Sequence, residues 1–349
     1  MKLTDREWKE FKIDDLFNVL GTVTTKPQNL IKGGKVPRIT CAATSNGLDD
    51  FYENKATEEA NVITIDSATI GYTSYQGYKF IATDHVEKIV LKKQQLNIYL
   101  GLFIKQAIDN SVQTKYNYGY KFSQSRIKTQ KILLPITSKG EPDYQFMEDY
   151  VKEIMHRKRQ EYIGYAQKIL AGGGKTKVIQ SLMNKKWKTF RLDSLFDIYT
   201  GRDIIMSKTN KGLFPVISHS AQNNGVAMFI DRLSNRRLFS GSNTISLADR
   251  GNFFATIQPS YFYVATRVKA LKGKDISSKF ILSFICNQIN KQSVKFNYGH
   301  NACDNVNGAK IMLPVDDKGN PDYEYMEQYA HNKMLAKYKD YLQYANNLE

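Results

Sequence analysis

Short runs of alternating apolar and polar residues, each bounded by turn signals, occur along much of this chain. Two of them, 61–65 and 243–247, read Asn-Val-Ile-Thr-Ile and Asn-Thr-Ile-Ser-Leu. Such alternation is typical of half-buried strands. In contrast, 96–111 and 276–293 carry apolar residues three and four positions apart, which favours helices. The pattern predicts an α+β fold in which every element occurs twice.

The longest helical patterns run from Asp143 to Leu170 and from Asp322 to Glu349. A fully helical segment of about 28 residues would be about 42 Å long. One face of the first carries apolar and aromatic residues, namely Met147, Tyr150, Ile154, Tyr162, Tyr165 and Ile169. A small domain cannot cover so long a stripe, so we expect the two helices to pack antiparallel as a coiled-coil spacer.

Two near-copies of one phrase close the two halves of the chain. Lys139–Glu148 reads Lys-Gly-Glu-Pro-Asp-Tyr-Gln-Phe-Met-Glu, and Lys318–Glu327, 179 residues later, reads Lys-Gly-Asn-Pro-Asp-Tyr-Glu-Tyr-Met-Glu. A Trp-Lys-x-Phe phrase near the start of each half repeats at the same separation. Repeats in the same order indicate a tandem duplication. Pro142 and Pro321 suit the first turn of the long helices.

The duplication predicts two tandem domains with mixed, β-rich cores and α-helices, joined by the two long helices. In chain order we predict a first domain (1–141), a first spacer helix (142–171), a Gly- and Lys-containing linker (172–184), a second domain (185–320) and a second spacer helix (321–349). Each domain is large enough to bury its own core.

The charge balance points to a polyanionic partner. The 349 residues include 50 Lys and Arg against 34 Asp and Glu, a formal net charge of +16, and 12% are aromatic. These features favour nucleic acid first and an anionic membrane second, although a lysine-biased genome would also raise the charge. The sequence contains neither a membrane-spanning apolar run nor a signal-peptide core, which predicts a cytoplasmic protein.

Residues that could carry chemistry do not occur at the required spacings. Cys41, Cys286 and Cys303 form no Cys-x-x-Cys pair, which argues against a disulfide framework and a structural zinc site. Ala171–Thr176 resembles a phosphate loop, but Ile169 stands where the first Gly is required, so we interpret it as a helix cap and linker.

Two further motifs resemble parts of catalytic sites. Asn320–Tyr323 resembles the Asn/Asp-Pro-Pro-Tyr loop of amino-methyltransferases, but its second Pro is replaced by Asp and the first copy has Glu141 for Asn. His300 and Cys303 have no further metal ligands nearby in sequence, and no acidic pair is followed by the Glu-x-Lys that nucleases need. We therefore expect a binding protein without catalytic, cofactor-binding or metal-binding residues of its own.

The arrangement resembles a known family. Each half opens with Trp-Lys-x-Phe-x-Leu/Ile-x-x-Leu-Phe and ends in Leu-Pro before a long helix, and Phe214–Val226 contains Pro-Val-Ile-Ser and Asn-Asn-Gly-Val. This is similar to the specificity (S) subunits of type I restriction–modification systems and the related type IIB subunits. The chain length is nearer the type IIB size, and the Pro-Asp-Tyr phrase differs from the usual type I phrase, so both subclasses stay open.

The resemblance implies a division of labour between chains. Each target-recognition domain would read one half of a bipartite, asymmetric site in double-stranded DNA. The helices would set the gap and dock adenine-N6 methyltransferase subunits, or fused methyltransferase–nuclease subunits. The partner would bind S-adenosylmethionine and flip the target base, so that this chain itself would need no cofactor.

Candidate DNA contacts are polar and aromatic residues in loops that differ between the halves, since such residues read base edges while Lys and Arg hold phosphates. The candidates are Ser45, Asn46, Tyr72, Thr73, Tyr75 and Gln76 in the first domain and Asn223, Asn224, Arg250, Asn252 and Gln258 in the second. Residues that would line the backbone or stack on a displaced base are Lys115, Tyr116, Lys121, Lys295 and His300. For each of them a solvated loop residue fits the pattern equally well.

Shared residues are interpreted differently. Asn117 and Asn297 lie in matched Asn-Tyr-Gly loops, and a residue common to domains that read different sequences cannot supply the difference. We therefore predict a structural role for both.

Two other functions stay open at this point. A stand-alone DNA methyltransferase or nuclease with diverged motifs would turn over S-adenosylmethionine or cut DNA without a partner. An orphan DNA-binding or anti-phage protein would have no methyltransferase encoded beside it.

Overall fold

The computed structural model of this chain describes residues 1–112, 114–117, 119–172, 176–250, 253–295 and 306–347. Chain contacts divide it into two compact units, Met1–Tyr162 and Ile163–Glu349. The boundary falls inside the first long helix, whereas the sequence pattern treats that helix as a segment of its own.

The first unit consists of short strands with helices between them. Its strands are β1 (Trp8–Lys12), β2 (Phe17–Gly21), β3 (Lys32–Ile39), β4 (Leu48–Tyr52), β5 (Val62–Asp66), β6 (Thr73–Gln76), β7 (Ile81–Ala82), β8 (Val86–Leu91) and β9 (Lys131–Pro135). Its helices are α1 (Ile13–Leu16), α2 (Ile98–Val112), α3 (Gln124–Thr129) and the long α4 (Tyr144–Gly172).

The second unit repeats this order. Its strands are β10 (Trp187–Arg191), β11 (Phe196–Thr200), β12 (Lys211–Ile217), β13 (Val226–Ile230), β14 (Thr244–Ala248), β15 (Phe254–Ile257), β16 (Tyr263–Val264), β17 (Val268–Gly273) and β18 (Lys310–Pro314). Its helices are α5 (Leu192–Leu195), α6 (Lys279–Asn290) and the long α7 (Tyr323–Asn346).

The two units have the same sheet topology. An antiparallel four-stranded sheet has the order β2-β8-β5-β6 in the first unit and β11-β17-β14-β15 in the second. A three-stranded sheet, β4-β3-β7 or β13-β12-β16, contains one parallel pair, and β1 pairs with β9 as β10 does with β18. The predicted α+β class and the tandem duplication are confirmed.

The main core of each unit lies between the four-stranded sheet and the helix that follows it. In the first unit Ile63 and Ile89 of the sheet and Leu100 and Ile104 of α2 are fully buried. Alternate strand residues face this helix, as the period-two pattern predicts. This core holds the four-stranded sheet in place. The loops that differ in sequence between the two units connect the ends of its strands.

The repeated phrase forms the same joint at the start of both long helices. The carboxylate of Asp143 accepts a hydrogen bond from the N–H of Phe146 at 3.0 Å, and Asp322 caps α7 in the same way. Pro142 and Pro321 therefore precede the cap, and the prediction that they lie in the first helical turn is wrong. Each proline instead bridges to the residue after the preceding strand.

The two long helices are present where the sequence predicts them. In the second unit, the last part of α4 contacts α7 through Tyr165 and Tyr338, whose ring centroids are 5.9 Å apart. Ala166 and Ala345 are both buried. Antiparallel pairing along the whole length of the helices stays a prediction. In the described part of the chain, none of the helices has the length and apolar character needed to cross a membrane.

Candidate nucleic-acid interface

Each unit has a left-handed turn at the same place. The turn Ser45–Gly47 joins β3 to β4, and Asn223–Gly225 joins β12 to β13. Asn46 has φ of 56° and Asn224 of 53°, a region that Asn tolerates better than most residues. The following glycines also have positive φ, and a Cβ on Gly225 would lie 2.9 Å from Ile217 Cγ2. The predicted Asn-Gly turns are confirmed.

In the first unit a pair of amides ties this turn to the sheet. The side-chain amide of Asn46 donates to the carbonyl of Tyr75 at 2.8 Å. The amide of Gln76 donates back to the carbonyl of Asn46 at 3.2 Å and to Thr64 Oγ1 at 3.0 Å. Asn46 bonds the main chain of β6, and Gln76 bonds the main chain of the turn. These two bonds hold the turn against β6.

The second unit repeats the arrangement. Asn224 donates to the carbonyl of Ile257 at 2.8 Å, and Gln258 donates to the carbonyl of Asn224 and to Thr256 Oγ1, both at 2.9 Å. We call these matched sets of bonds the Asn–Gln clamp, formed by Asn46 with Gln76 and by Asn224 with Gln258.

The clamp changes the interpretation of four sequence-predicted contacts. Gln76 and Gln258 are only 5% and 4% exposed, and their amides bond inside their own unit. Asn46 and Asn224 are exposed, but their amide donors are also engaged. The loops that contain these residues differ in sequence between the halves, whereas the structure shows that the four residues form two equivalent pairs. A shared residue holds the loop and cannot distinguish two DNA sequences.

Three further candidates lie in the interior of the first unit. The hydroxyl of Thr73 donates to Asp109 of α2, and that of Tyr75 donates to Asn61 Oδ1 at 2.6 Å. Tyr116 is 6% exposed and donates to Gln130 Oε1 at 2.9 Å. Strand β6 is covered by α2 on one face and by the turn on the other, so its alternation does not expose either set of side chains. The sequence predicts that these three side chains face DNA, whereas the structure places them in the interior of the first unit.

The other described candidates are at the surface. Exposed side chains are those of Ser45, Tyr72, Lys115, Lys121, Asn223 and Arg250. The hydroxyl of Ser45 makes no hydrogen bond in the described part of the chain, and Asn223 uses one amide N–H to bond the carbonyl of Val226 at 3.2 Å. Lys115 reaches Gln130 Oε1 at 2.8 Å. Asn252 and His300 lie outside the described residues, as does the side chain of Lys295.

The predicted structural role of Asn117 is confirmed. Its side-chain oxygen accepts hydrogen bonds from the N–H groups of Gly119 and Tyr120, both at 2.9 Å, and so closes the loop. Its counterpart Asn297 lies outside the described residues.

Sequence reasoning missed several exposed tyrosines, one of which lies beside a basic side chain. Tyr78 and Tyr261, which lie just before β7 and β16, are 80% and 56% exposed. Arg126 lies over the ring of Tyr120, with 3.8 Å between the guanidinium carbon and the ring centroid. Large exposed tyrosines beside basic side chains are suited to stacking on bases and to contacts with phosphate.

The described thiols are not set up for nucleophilic chemistry. Burial raises the pKa of Cys41 and of Cys286 to about 12, so both thiols are neutral near pH 7. Among the described residues, no group of three or more His, Cys, Asp and Glu side chains is arranged to hold a metal ion.

A cavity of about 870 Å³ in the first unit lies away from the turn. Trp8, Phe103, Leu133 and Tyr150 line much of it. It opens beside β9 and the start of α4, on the side of the fold where the joint is found. Its lining also contains polar and charged side chains, among them Gln106, Asn110 and Lys115.

Comparison with known sequences agrees with the duplication. The family model described as the type I restriction modification DNA specificity domain matches residues 5–163 and again 184–340. The type II restriction enzyme BgcI specificity subunit of Heyndrickxia coagulans is 33% identical over 157 residues, which make up 44% of this chain and 46% of that protein. The aligned segment thus spans about half the length of that relative.

Comparison with solved structures gives weaker similarities. The S subunit of a type I restriction–modification system from M. genitalium aligns over 100% of this chain and 95% of its own, with 12% identity and a TM-score of 0.47. The HsdS subunit from Thermoanaerobacter tengcongensis aligns over 98% and 91%, with 12% identity and a TM-score of 0.33.

Proposed function

The chain belongs to the type I restriction–modification DNA specificity family, and from this premise we propose that it is the DNA sequence-specificity subunit of a restriction–modification complex. Each unit reads one half of a bipartite, asymmetric site in double-stranded DNA. The chain itself is a recognition subunit, and its partners carry the catalysis.

One observation supports this function above the others. Both units hold a left-handed turn with the same clamp, yet the residue at the tip is Ser45 in the first and Asn223 in the second. A fixed scaffold with a variable tip is what two domains need in order to read different short sequences. An amide such as that of Asn223 can pair with adenine in the major groove, while a serine hydroxyl is less selective.

The remaining exposed candidates have supporting roles in this proposal. Lys115, Lys121 and Arg250 would contact phosphates, and Tyr72 would pack against the sugar or a base. The net charge of +16 provides the long-range attraction that such contacts require.

The partners are proposed from family membership. Helices α4 and α7 would dock adenine-N6 methyltransferase subunits, or fused methyltransferase–nuclease subunits, and would set the gap between the half-sites. The methyltransferase would hold S-adenosylmethionine and flip the target adenine. We propose that the complex acts in the cytoplasm, where its DNA is.

Mapping of methylation tests the proposal. The chain is co-expressed with the methyltransferase subunit encoded beside it, and N6-methyladenine is mapped across the host genome. We expect one asymmetric motif with two specified halves and an unspecified gap. A map without such a motif contradicts the proposal, and so does turnover of S-adenosylmethionine or cleavage of DNA by the purified chain alone.

A further inference from the structure

The second unit contains a basic groove that the first unit lacks at the matched position. Two adjoining cavities of about 610 and 410 Å³ share Tyr199, Arg237 and Phe239 in their walls. Arg202 and Arg236 also line the larger one. We call this the arginine groove, defined by Arg202, Arg236 and Arg237.

The lining of the groove is positive and contains no carboxylate. Besides the three arginines, Lys272 lines the smaller cavity, and the polar residues include Thr200, Asn235 and Asn243. Neither cavity has an Asp or Glu among the described residues that line it. An anion that entered would meet cations and neutral donors only.

Two of the arginines, Arg236 and Arg237, are held in place by uncharged partners. Arg236 donates to the carbonyl of Asp203 at 3.1 and 2.7 Å and to the carbonyl of Asn235 at 3.0 Å. The guanidinium of Arg237 lies over the ring of Tyr199, 4.2 Å from its centroid. Within the described part of the chain, no carboxylate forms an ion pair with any of the three arginines. Their full charge is therefore available to a ligand.

The matched segment of the first unit has the opposite charge. Residues 231–243 contain three arginines and one aspartate, a net +2, whereas residues 53–61 contain three glutamates and one lysine, a net −2. The two segments are equivalent because Phe239 bridges Phe262 where Glu58 bridges Phe80. The positive charge of this segment thus belongs to the second unit and is not part of the shared framework.

The groove lies beside the clamped turn. The N–H of Gly241 donates to the carbonyl of Ser260 at 3.1 Å. A Cβ on Gly241 would lie only 2.1 Å from the carbonyl oxygen of Gln258, so the two chain segments are in close contact. Gln258 in turn holds Asn224. The loop that carries Arg237 therefore abuts the strand end that fixes the tip of the second unit.

We propose that the arginine groove binds the phosphodiester backbone of DNA next to the half-site read by the second unit. Guanidinium groups match phosphate oxygens with paired hydrogen bonds and stay charged at any physiological pH. The inference rests on the proposed function and adds an asymmetry to it. The second unit holds the DNA backbone with a dedicated anion site, and the first does not have one at this position.

Salt dependence of DNA binding tests this inference. Affinity of the complex with its methyltransferase for a duplex that carries the mapped site is measured by fluorescence anisotropy between about 50 and 200 mM salt. Arg202→Gln and Arg237→Gln should each weaken binding, and the slope of log K against log salt should fall by about 0.9 for each phosphate that the variant no longer binds. Affinity for a duplex without the site should fall by a similar factor, because phosphates carry no sequence information.

Two control variants show whether an effect on binding comes from charge inside the groove or from charge elsewhere on the loop. Melting temperatures show whether folding is affected. Arg232→Gln removes a cation from the same loop outside the groove lining and should leave the slope unchanged. Arg237→Lys keeps the charge and should keep most of the slope that Arg237→Gln loses. Unchanged slopes in Arg202→Gln and Arg237→Gln with normal melting temperatures overturn the inference.

The remaining outcomes also decide between explanations. If the wild-type complex does not discriminate the mapped site from a scrambled duplex, the proposed function fails. If discrimination is intact and the slopes do not move, the groove inference alone fails. Stabilisation of the chain by inorganic phosphate without a change in the DNA slope identifies a site for free anions and contradicts the assignment to DNA.

Discussion

The two units fill one equivalent place in their cores in opposite ways. In the first unit the carboxylate of Glu58, fully shielded from solvent, pairs with Lys88 and accepts a hydrogen bond from the N–H of Val23 at 2.7 Å. In the second unit Phe239 stands at the position of Glu58 and contacts Tyr199, with ring centroids 5.7 Å apart. The same framework thus accepts either an ion pair or an aromatic pair.

Strand register shows that these positions are equivalent. Leu20 pairs with Lys88 across β2 and β8, and Tyr199 pairs with Ala270 across β11 and β17. The small Ala270 leaves room for the two aromatic rings, whereas Lys88 needs the carboxylate of Glu58. The comparison teaches that strand order and helix packing are fixed by the apolar core, while residues beneath the loops are free to change charge.

The largest expected effect comes from breaking the ion pair. Glu58→Ala leaves Lys88 without a counter-ion in a mostly shielded place and should destabilise the first unit by about 3 kcal/mol, the low end for a buried pair. The side chain of Lys88 is 21% exposed, which limits the cost. Urea unfolding followed by hydrogen exchange in peptides of the first unit measures the loss, and peptides of the second unit serve as the internal control.

The double variant Glu58→Phe/Lys88→Ala sharpens the comparison. It copies the residues that the second unit has at these two positions, so it should recover more than half of the stability that Glu58→Ala loses. If the double variant loses as much free energy of unfolding as Glu58→Phe and Lys88→Ala lose together, the two cores are not interchangeable at this place.

The sequence predicts the framework well because the framework is periodic. Alternation located β5 and β14, helical spacing located α2 and α6, and the repeat revealed the duplication. The predicted helix starts at Pro142 and Pro321 were two residues too early, since Asp143 and Asp322 provide the N-caps and the helices begin at the next residue. Local propensity alone did not distinguish a residue before the cap from one after it.

The site was harder to predict because burial there depends on distant segments. Gln76 and Thr73 are polar residues near a loop, and only the packing of α2 and of the turn on β6 hides them. The first-half segment that matches 231–243 contains one lysine and no arginine, so the repeat did not mark the arginines as a site. Both failures arise where two segments far apart in sequence meet.

The clamp gives the second largest expected effect and acts on one unit at a time. Gln76→Ala removes a buried amide and leaves the carbonyl of Asn46 without its donor, which should cost the first unit about 2 kcal/mol. The turn should loosen, so discrimination should fall at the first half-site and not at the second. Gln258→Ala should show the reverse pattern.

Methylation rates on duplexes with single base changes in either half-site measure this effect. Each glutamine variant is the matched control for the other, since both lose the bond to the carbonyl of the turn and one bond to a threonine hydroxyl. Equal loss of discrimination at both half-sites in one variant would show that the clamp acts only through general stability.

The tips of the two turns should give a smaller and purely functional difference. Asn223 uses one amide N–H within its own turn and can offer the other N–H and its carbonyl oxygen to a base, so Asn223→Ala should reduce discrimination at one base pair by about 1.5 kcal/mol. Ser45→Ala, which removes a single hydroxyl, should have a smaller effect. Kd values for base-substituted duplexes give both quantities, and unchanged melting temperatures confirm that folding is intact. Loss of affinity that is uniform across all duplexes would rule out base reading by either tip.

The smallest expected difference lies at the joint, where the two units match most closely. Arg6 donates to the Asp143 carboxylate at 2.8 Å and lies 4.8 Å from the centroid of the Phe146 ring. Lys185 makes the same contacts with Asp322 at 2.6 Å and with the Tyr325 ring at 4.7 Å. The cation therefore joins the start of the unit to the cap of its long helix in both cases.

Exposure decides which of these two pairs contributes more. The Arg6 side chain is 42% exposed and that of Lys185 only 14%, so solvent and salt screen the first pair more strongly. Arg6→Ala should cost a few tenths of a kcal/mol, and Lys185→Ala up to about 1 kcal/mol. Double-mutant cycles with Asp143→Asn and Asp322→Asn, which keep a capping oxygen, isolate each pair, and repeating them at about 1 M salt should abolish most of the Arg6 coupling. If the Arg6 coupling equals or exceeds that of Lys185 at both salt concentrations, exposure does not set the strength of the joint, and the planar guanidinium on the Phe146 ring is the stronger contact.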